Sequence, residues 1–234
     1  MQLLDEFKQV FENRYDIVNK ESAKGKKVIA WACTYIPEEL FYAAGMQTVR
    51  LLGGTEDTPK ADAYLYSNFC PFTRSCLEEA MNGNYDMLDG FVSVNSCDHI
   101  RRLFDVWKKY LNTPFTRILS LPHKLSSNAL SYYQKEIGKL RSEVEESFDV
   151  KISAEALADA ITVYNKSRTM LKALYDLRKA DSPPISGAEA MDVVMAGFIL
   201  PRDEYNLMLA KLLTEIEDRD DPPADEGIRL MITG

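Results

Sequence analysis

Two cysteines lie where a metal could be held, because each stands next to the predicted start of a helix. Cys70 directly precedes Pro71, and proline is well tolerated at the first helical position. Cys97 follows an apolar run at 91–94 and precedes a helical pattern. Helix N-termini favour the thiolate, which is the form of cysteine that binds metal. The sequence therefore predicts a site that contains the thiols of Cys70 and Cys97.

The remaining cysteines, Cys33 and Cys76, are interpreted first as small core residues, since free cysteine is among the most buried residue types. Cys33 also follows a predicted strand directly, which makes it a further candidate for contact with a cofactor. The sequence contains no CxxC pair, so spacing by itself does not specify a metal.

Composition narrows the class of protein. The chain has 234 residues and a formal net charge of −8, which argues against a nucleic-acid binder, because such proteins normally present a basic face. No apolar run reaches the length of a membrane span, and charged residues interrupt the N-terminal segment. We therefore expect no membrane partner, a cytoplasmic location and reduced cysteines.

Strands and helices alternate through the first half of the chain. Predicted strands lie at 28–32, 49–52, 91–94 and 116–119. Predicted helices lie at 3–15, 37–45, 71–81 and 98–111. The first helix is followed by a break at 25–27, and Gly45 caps the second. This alternation predicts an α/β fold with a parallel sheet, in which ligands bind beyond the carboxyl ends of the strands. Cys33 and Cys97 both follow such ends.

The second half of the chain is predicted to be helical. Helices are expected at 128–147, 153–178, 187–199 and 201–217, followed by a polar linker at 219–226 and a strand at 228–234. The predicted domains are an α/β domain at 1–124, a helical subdomain at 125–218 and the linker and strand at 219–234. We expect that last strand to open a second α/β domain that the sequence does not contain; the alternative is that it joins the first sheet.

Four charged residues are further candidates for chemistry. Glu38 and Glu39 follow Cys33 closely and could transfer protons, although acids in the first turn of a helix also complement its dipole. Arg101 and Arg102 could pair with the phosphates of coenzyme A, because the guanidinium fork matches phosphate geometry, or could lie on a solvated helix face.

Three blocks of this sequence resemble the 2-hydroxyacyl-CoA dehydratase component D family, which also includes the benzoyl-CoA reductase subunits. They are CTYIPEEL at 33–40, CPFTRS at 70–75 and, between 88 and 107, LDG, NSCD, RR and DVW. The resemblance extends over residues from about 28 to 120, and beyond that it holds only in the order and length of the elements.

The resemblance implies two flavodoxin-like α/β domains with a helical segment between them, and a dimer of two related or identical subunits. It also implies a 4Fe–4S cluster held by three cysteines, of which Cys70 and Cys97 match the first two by motif position. The third ligand would lie beyond Gly234, so this sequence departs from the family pattern.

The chemistry implied by the resemblance is one-electron transfer to an acyl-CoA thioester. An ATP-dependent iron–sulfur activator protein supplies the electron at low potential, and the cluster passes it on, giving either dehydration or ring reduction. The sequence contains no Walker A phosphate-binding motif, which agrees with ATP chemistry in a partner.

Two other functions remain open at this point. A relative that carries a larger double-cubane cluster would reduce small molecules, and a complete cysteine set would identify it. A non-catalytic subunit without a cluster would serve assembly alone. The acyl group is not specified by the sequence.

Overall fold

A computed structural model describes residues 1–217, 219 and 223. Its strands are β1 Val28–Ala32, β2 Gln47–Arg50, β3 Gly90–Val94 and β4 Phe115–Leu119. Its helices are α1 Gln2–Glu12, α2 Arg14–Ala23, α3 Glu38–Ala43, α4 Pro59–Asp62, α5 Pro71–Met81, α6 Asp98–Tyr110, α7 Ser127–Phe148, α8 Ala154–Leu177, α9 Gly187–Ala196 and α10 Arg202–Glu215. The predicted linker at 219–226 and strand at 228–234 lie outside the described residues, apart from positions 219 and 223.

The strands form a parallel sheet in the order β2-β1-β3-β4, which confirms the α/β prediction and matches the first four strands of the flavodoxin-like order. In β1 and β3 every residue is buried, as expected for central strands covered on both faces. The register pairs Ala32 with Ser93, so the carboxyl ends of β1 and β3 lie side by side. This pairing places the segments that follow the two strands next to each other.

Several element bounds differ from the prediction, and two of these differences have a clear structural cause. The helix predicted from residue 3 is two helices, because a turn at Asn13 separates α1 from α2 well before the predicted break at 25–27. Strand β2 begins at Gln47 rather than at 49, since Gln47 donates its backbone N–H to the Lys27 carbonyl at 2.8 Å and continues the ladder with β1. The partner strand, rather than the apolar run, sets this start.

The chain divides into two compact units, residues 13–162 and residues 1–12 with 163 onward. The first contains the sheet and α7, whose Glu143 accepts a 2.6 Å hydrogen bond from Arg117 of β4. The predicted domains at 1–124, 125–218 and 219–234 stay a prediction. Among the described residues, no helix combines the length and apolarity needed to cross a bilayer.

The second unit is helical in its described residues and contains α1, α9 and α10. The ring of Phe7 meets that of Tyr205 edge-on, with centroids 6.3 Å apart, and both side chains are fully buried. Ser186 caps α9 through a reciprocal pair of hydrogen bonds with Glu189, which fixes the start of that helix. These contacts give the unit an apolar core of its own.

Candidate functional site

Cys70 forms the N-cap of α5, as the proline after it predicted. Its carbonyl accepts hydrogen bonds from the backbone N–H of Thr73 at 3.0 Å and from the Thr73 hydroxyl at 2.9 Å. Its own N–H donates to Nδ1 of His99 at 3.3 Å. The Cys70 backbone is therefore attached both to its own helix and to the first turn of α6.

Cys97 forms the N-cap of α6, and its sulfur takes part in the capping. The Sγ atom accepts a hydrogen bond of 3.5 Å from the backbone N–H of Ile100, while the backbone of Cys97 is extended. The sulfur therefore lies at the N-terminal end of α6. The Cys97 side chain is exposed, so this sulfur lies within reach of a ligand.

Cys33 follows β1 directly and has a φ of +90°, which is rare for a residue with a Cβ atom. Its carbonyl accepts from the N–H of Ile36 at 3.4 Å, closing a turn ahead of α3. The half-buried Cys33 side chain lies near Tyr133. The Tyr133 hydroxyl donates a hydrogen bond to the Tyr35 carbonyl at 2.7 Å. Burial is the main cause that raises the pKa of Tyr133, and the nearby Cys33 raises it further. The structure thus places Cys33 at the same edge of the sheet as Cys97.

Cys76 belongs to the core, as predicted. Its side chain is fully buried on α5, and this burial raises the pKa of its thiol from 9.0 to about 12. A thiol with that pKa is neutral and unreactive at physiological pH.

The described residues offer accessible thiols at Cys70 and Cys97, and a third at Cys33, but not a complete metal site. In residues 1–217, 219 and 223, no group of three or more His, Cys, Asp or Glu side chains converges in a way that could hold a metal ion. A cluster at Cys70 and Cys97 would therefore need at least one donor from outside the described residues.

The sequence matches the model of a known family over residues 33–234, and that family is described as 2-hydroxyglutaryl-CoA dehydratase, D-component. This chain belongs to the 2-hydroxyglutaryl-CoA dehydratase D-component family. Membership confirms the resemblance on which the cysteine assignment rests.

Curated relatives agree with the family. The chain is 31% identical to a benzoyl-CoA reductase subunit of Thauera aromatica over 86% of this chain and 54% of that protein. It is 28% identical to the beta subunit of (R)-2-hydroxyglutaryl-CoA dehydratase of Acidaminococcus fermentans, over 92% of this chain and 57% of that protein. It is also 28% identical to the (R)-phenyllactyl-CoA dehydratase beta subunit of Clostridium sporogenes, over 98% of this chain and 62% of that protein. The chain thus spans little more than half the length of these relatives.

Within the first matching block of this D-component family member, Glu38 points towards the sheet. Its Oε2 atom accepts hydrogen bonds from Nε1 of Trp31 at 3.1 Å and from the hydroxyl of Thr48 at 2.8 Å. These bonds join the first turn of α3 to β1 and β2. Glu39 lies half-buried in the same turn. Proton transfer by either carboxylate stays a prediction.

The two candidate phosphate-binding arginines lie on an exposed face of α6. Arg101 pairs with Asp98 at 3.4 Å and Arg102 with Asp105 at 2.6 Å, each three residues away along the helix. Exposed pairs of this kind contribute little to stability, so a phosphate could displace either carboxylate. A role in binding coenzyme A stays a prediction.

Arg74, in the second matching block, has a structural role that sequence analysis missed. Its guanidinium donates to both carboxylate oxygens of Asp62, at 2.7 and 2.8 Å, and also to the Thr58 hydroxyl and the Ser67 carbonyl. This fork ties residues 58–67 to α5 and so fixes the segment that leads into Cys70. The sequence did contain a signal, because an arginine four residues after the candidate ligand Cys70 is suited to bidentate pairing with a carboxylate. Only the fold shows that this carboxylate is Asp62.

Gly53, at the end of the segment after β2, allows α5 to approach closely. A Cβ atom there would lie 1.8 Å from the Ser75 hydroxyl and 3.2 Å from the Cys76 backbone nitrogen. Only a residue without a side chain fits, and this contact holds α5, with Cys70 at its start, against the segment that follows β2.

Proposed function

We propose that this chain is an iron–sulfur subunit, or the N-terminal part of one, that passes an electron to an acyl-CoA thioester, as in a 2-hydroxyacyl-CoA dehydratase or a benzoyl-CoA reductase. One observation carries the proposal: Cys70 and Cys97 begin two helices whose first turns are joined by the hydrogen bond from Cys70 to His99. Family membership supplies the reaction class.

The donor set fits an iron–sulfur cluster in part. Neither thiol forms a disulfide, and neither is fully buried. Iron–sulfur clusters take cysteine thiolates as ligands, and both cysteines stand at the N-terminal end of a helix. Cys70 and Cys97 would hold a 4Fe–4S cluster, with a third cysteine supplied from beyond Gly234. Cys33, at the same edge, would contact the cluster without binding it.

A bound cluster would supply a one-electron carrier of low potential. The residues of this chain would orient it and control its surroundings. His99 would keep the Cys70 backbone aligned with α6, and the Arg74 fork would hold the preceding segment in place. The hydrogen bond from the Ile100 N–H to the Cys97 sulfur would reduce the negative charge on that ligand, as hydrogen-bond donors around a metal ligand do.

The proposal includes partners. An ATP-dependent iron–sulfur activator protein would deliver the electron, and a related or identical subunit would complete a dimer. Arg101 and Arg102 would bind the phosphates of coenzyme A, since their present carboxylate partners are exposed. The relatives named as subunits of dehydratases and of benzoyl-CoA reductase support assembly with other chains.

Iron and acid-labile sulfide content, with the absorption spectrum, tests the proposal on anaerobically reconstituted protein. Cys70→Ala and Cys97→Ala should each lose most of the iron bound by the parent, whereas Cys33→Ala should retain it. Cys76→Ala is the matched control, because that thiol lies in the core and should leave iron content unchanged.

A version extended beyond Gly234 completes the experiment. Iron in the extended chain alone would support the proposal and assign the missing ligand to the extension. Iron in neither version would overturn it and favour the assembly role without a cluster. About eight iron atoms per extended chain would favour the double-cubane reductase instead.

A further inference from the structure

A cavity lies at the opposite edge of the sheet from the cysteines. It has a volume of about 860 Å³, and its lining includes Met81 and Asn82 at the end of α5 and Trp107 and Tyr110 at the end of α6. The same helices begin at Cys70 and Cys97, and α5 alone is 11 residues long, or roughly 17 Å. The volume falls within the range of small-ligand sites, and the cavity is separate from the proposed cluster site.

The floor of this cavity is aromatic, and its polar atoms are already occupied. The indole Nε1 of Trp107 donates to the Thr113 hydroxyl at 2.8 Å. The hydroxyl of Tyr85 accepts from the Leu52 N–H and donates to the Leu52 carbonyl. Both rings are almost fully buried beneath the cavity, so they form its apolar base and offer it no free donor or acceptor.

Two partly exposed tyrosines form the mouth. The rings of Tyr64 and Tyr110 lie 4.6 Å apart at an interplanar angle of 53°, and their side chains are 44% and 48% exposed. The Lys109 ammonium lies 5.0 Å from the Tyr110 centroid, so one face of that ring is near a cation already. Exposed rings beside an aromatic floor are suited to stacking on a flat ligand.

Charge at the rim is balanced. Lys60 donates to the Met81 carbonyl at 3.2 Å and so offsets the negative end of the α5 dipole. Asp86 contributes a carboxylate that balances the ammonium group of Lys60, the other charged side chain in the lining of the cavity. The exposed side-chain amides of Asn82 and Asn112 each provide a donor and an acceptor. Such a rim favours an uncharged ligand with hydrogen-bonding groups on its edge.

We propose that this cavity binds an uncharged planar heteroaromatic ring of the nucleoside class. The ring stacks on Tyr64 and Tyr110 above the aromatic floor, and its edge meets the amides of Asn82 and Asn112. The proposal goes beyond the proposed function and does not depend on it, because no residue of the cavity belongs to the cysteine site.

Titration of the full chain with adenosine tests this inference, with the Trp107 indole N–H followed by NMR. Tyr64→Leu should weaken binding roughly tenfold, since a base–aromatic stack contributes about 1–3 kcal/mol, whereas Tyr64→Phe should retain it. Tyr66→Leu is the matched control, because Tyr66 is 79% exposed and does not line the cavity. Ribose alone should leave the indole signal unchanged.

Three results would overturn the inference. The first is the absence of a saturable shift of the indole signal up to about 10 mM adenosine. The second is an equal weakening of adenosine binding by Tyr64→Leu and Tyr66→Leu. The third is binding of adenosine monophosphate more than tenfold tighter than that of adenosine, which would indicate an anion site. Since none of these measurements involves iron, they leave the proposed function unaffected.

Discussion

The backbone N–H of Cys70 donates a hydrogen bond to Nδ1 of His99 at 3.3 Å, and this histidine lies two residues after Cys97. The His99 ring also meets Phe69 edge-on, with centroids 4.9 Å apart. One side chain at the start of α6 thus contacts the two residues that precede α5. This contact holds the two cysteine-bearing helix starts together without a metal.

Replacing His99 should loosen this link. His99→Ala removes one hydrogen bond and one aromatic contact, each of which contributes about 0.5–1.5 kcal/mol, so the free energy of unfolding should fall by about 1–3 kcal/mol. His99→Asn restores an acceptor and should recover part of the loss. Urea denaturation measures both variants, with the exposed His123→Ala as the control. An equal effect of the two alanine variants would contradict the assignment.

The fork between Arg74 and Asp62 makes stability depend on pH. The hydrogen bond from Arg74 lowers the pKa of Asp62 below its ordinary 3.8. A carboxyl with a depressed folded-state pKa stabilises the fold above its unfolded pKa, and that contribution is lost as pH falls through the folded value. Asp62→Asn should therefore be less stable than the parent at neutral pH, and the difference should shrink below pH 3.8.

Denaturation at a series of pH values measures this difference. Asp159→Asn, which replaces an exposed carboxylate on α8, is the control and should show no such convergence. A gap between parent and Asp62→Asn that stays constant down to about pH 2 would show that the Arg74 fork does not act through the charge of Asp62.

Elements with strong local signals could be predicted from the sequence. Helix α5 has the predicted bounds because Pro71 fixes its first turn and Gly83, with a φ of +85°, follows its end. The start of β2 could not be predicted, since Gln47 and Thr48 are polar yet buried against β1. The turn at Asn13 was hidden because the helical pattern of apolar residues continues across it.

In the candidate site, too, some features could be predicted from the sequence and others could not. The positions of Cys70 and Cys97 at helix starts followed from the adjacent proline and the preceding apolar run, which are local features. The contact of His99 with Cys70 joins residues 29 apart, and that of Arg74 with Asp62 depends on how a loop folds back on α5. Partners of this kind are set by tertiary structure, so a single sequence does not identify them.

Burial should protect Cys76 from alkylation. Its pKa of about 12, compared with 9.0 for an exposed thiol, lowers the thiolate fraction at pH 8 about a thousandfold, and the side chain is fully buried. Iodoacetamide should therefore modify Cys97 and Cys70 in the native protein and leave Cys76 unmodified, as peptide mass spectrometry can determine. In urea all four cysteines should react. Modification of Cys76 in the native protein would show that α5 does not hold it in the core.

Glu38 should prove to be a residue that positions α3. Glu38→Ala leaves the N–H of the buried Trp31 and the hydroxyl of the buried Thr48 without the carboxylate that accepts from both. The loss of a hydrogen bond from each of these two buried groups costs about 1–3 kcal/mol, so the free energy of unfolding should fall by about 2–6 kcal/mol. Glu38→Gln keeps an oxygen acceptor and should remain within about 1 kcal/mol of the parent, the size of a helix-dipole effect.

Glu39→Gln is the matched control for charge, because it removes a carboxylate from the same first turn of α3. Equal destabilisation by Glu38→Gln and Glu38→Ala would rule out the hydrogen-bonding role. If the proposed acyl-CoA enzyme is assembled with this chain, Glu38→Gln also distinguishes positioning from proton transfer, since an amide accepts the same two hydrogen bonds but cannot relay a proton. Activity retained by Glu38→Gln and lost in Glu38→Ala would assign Glu38 to holding α3 against the sheet, close to the turn that contains Cys33.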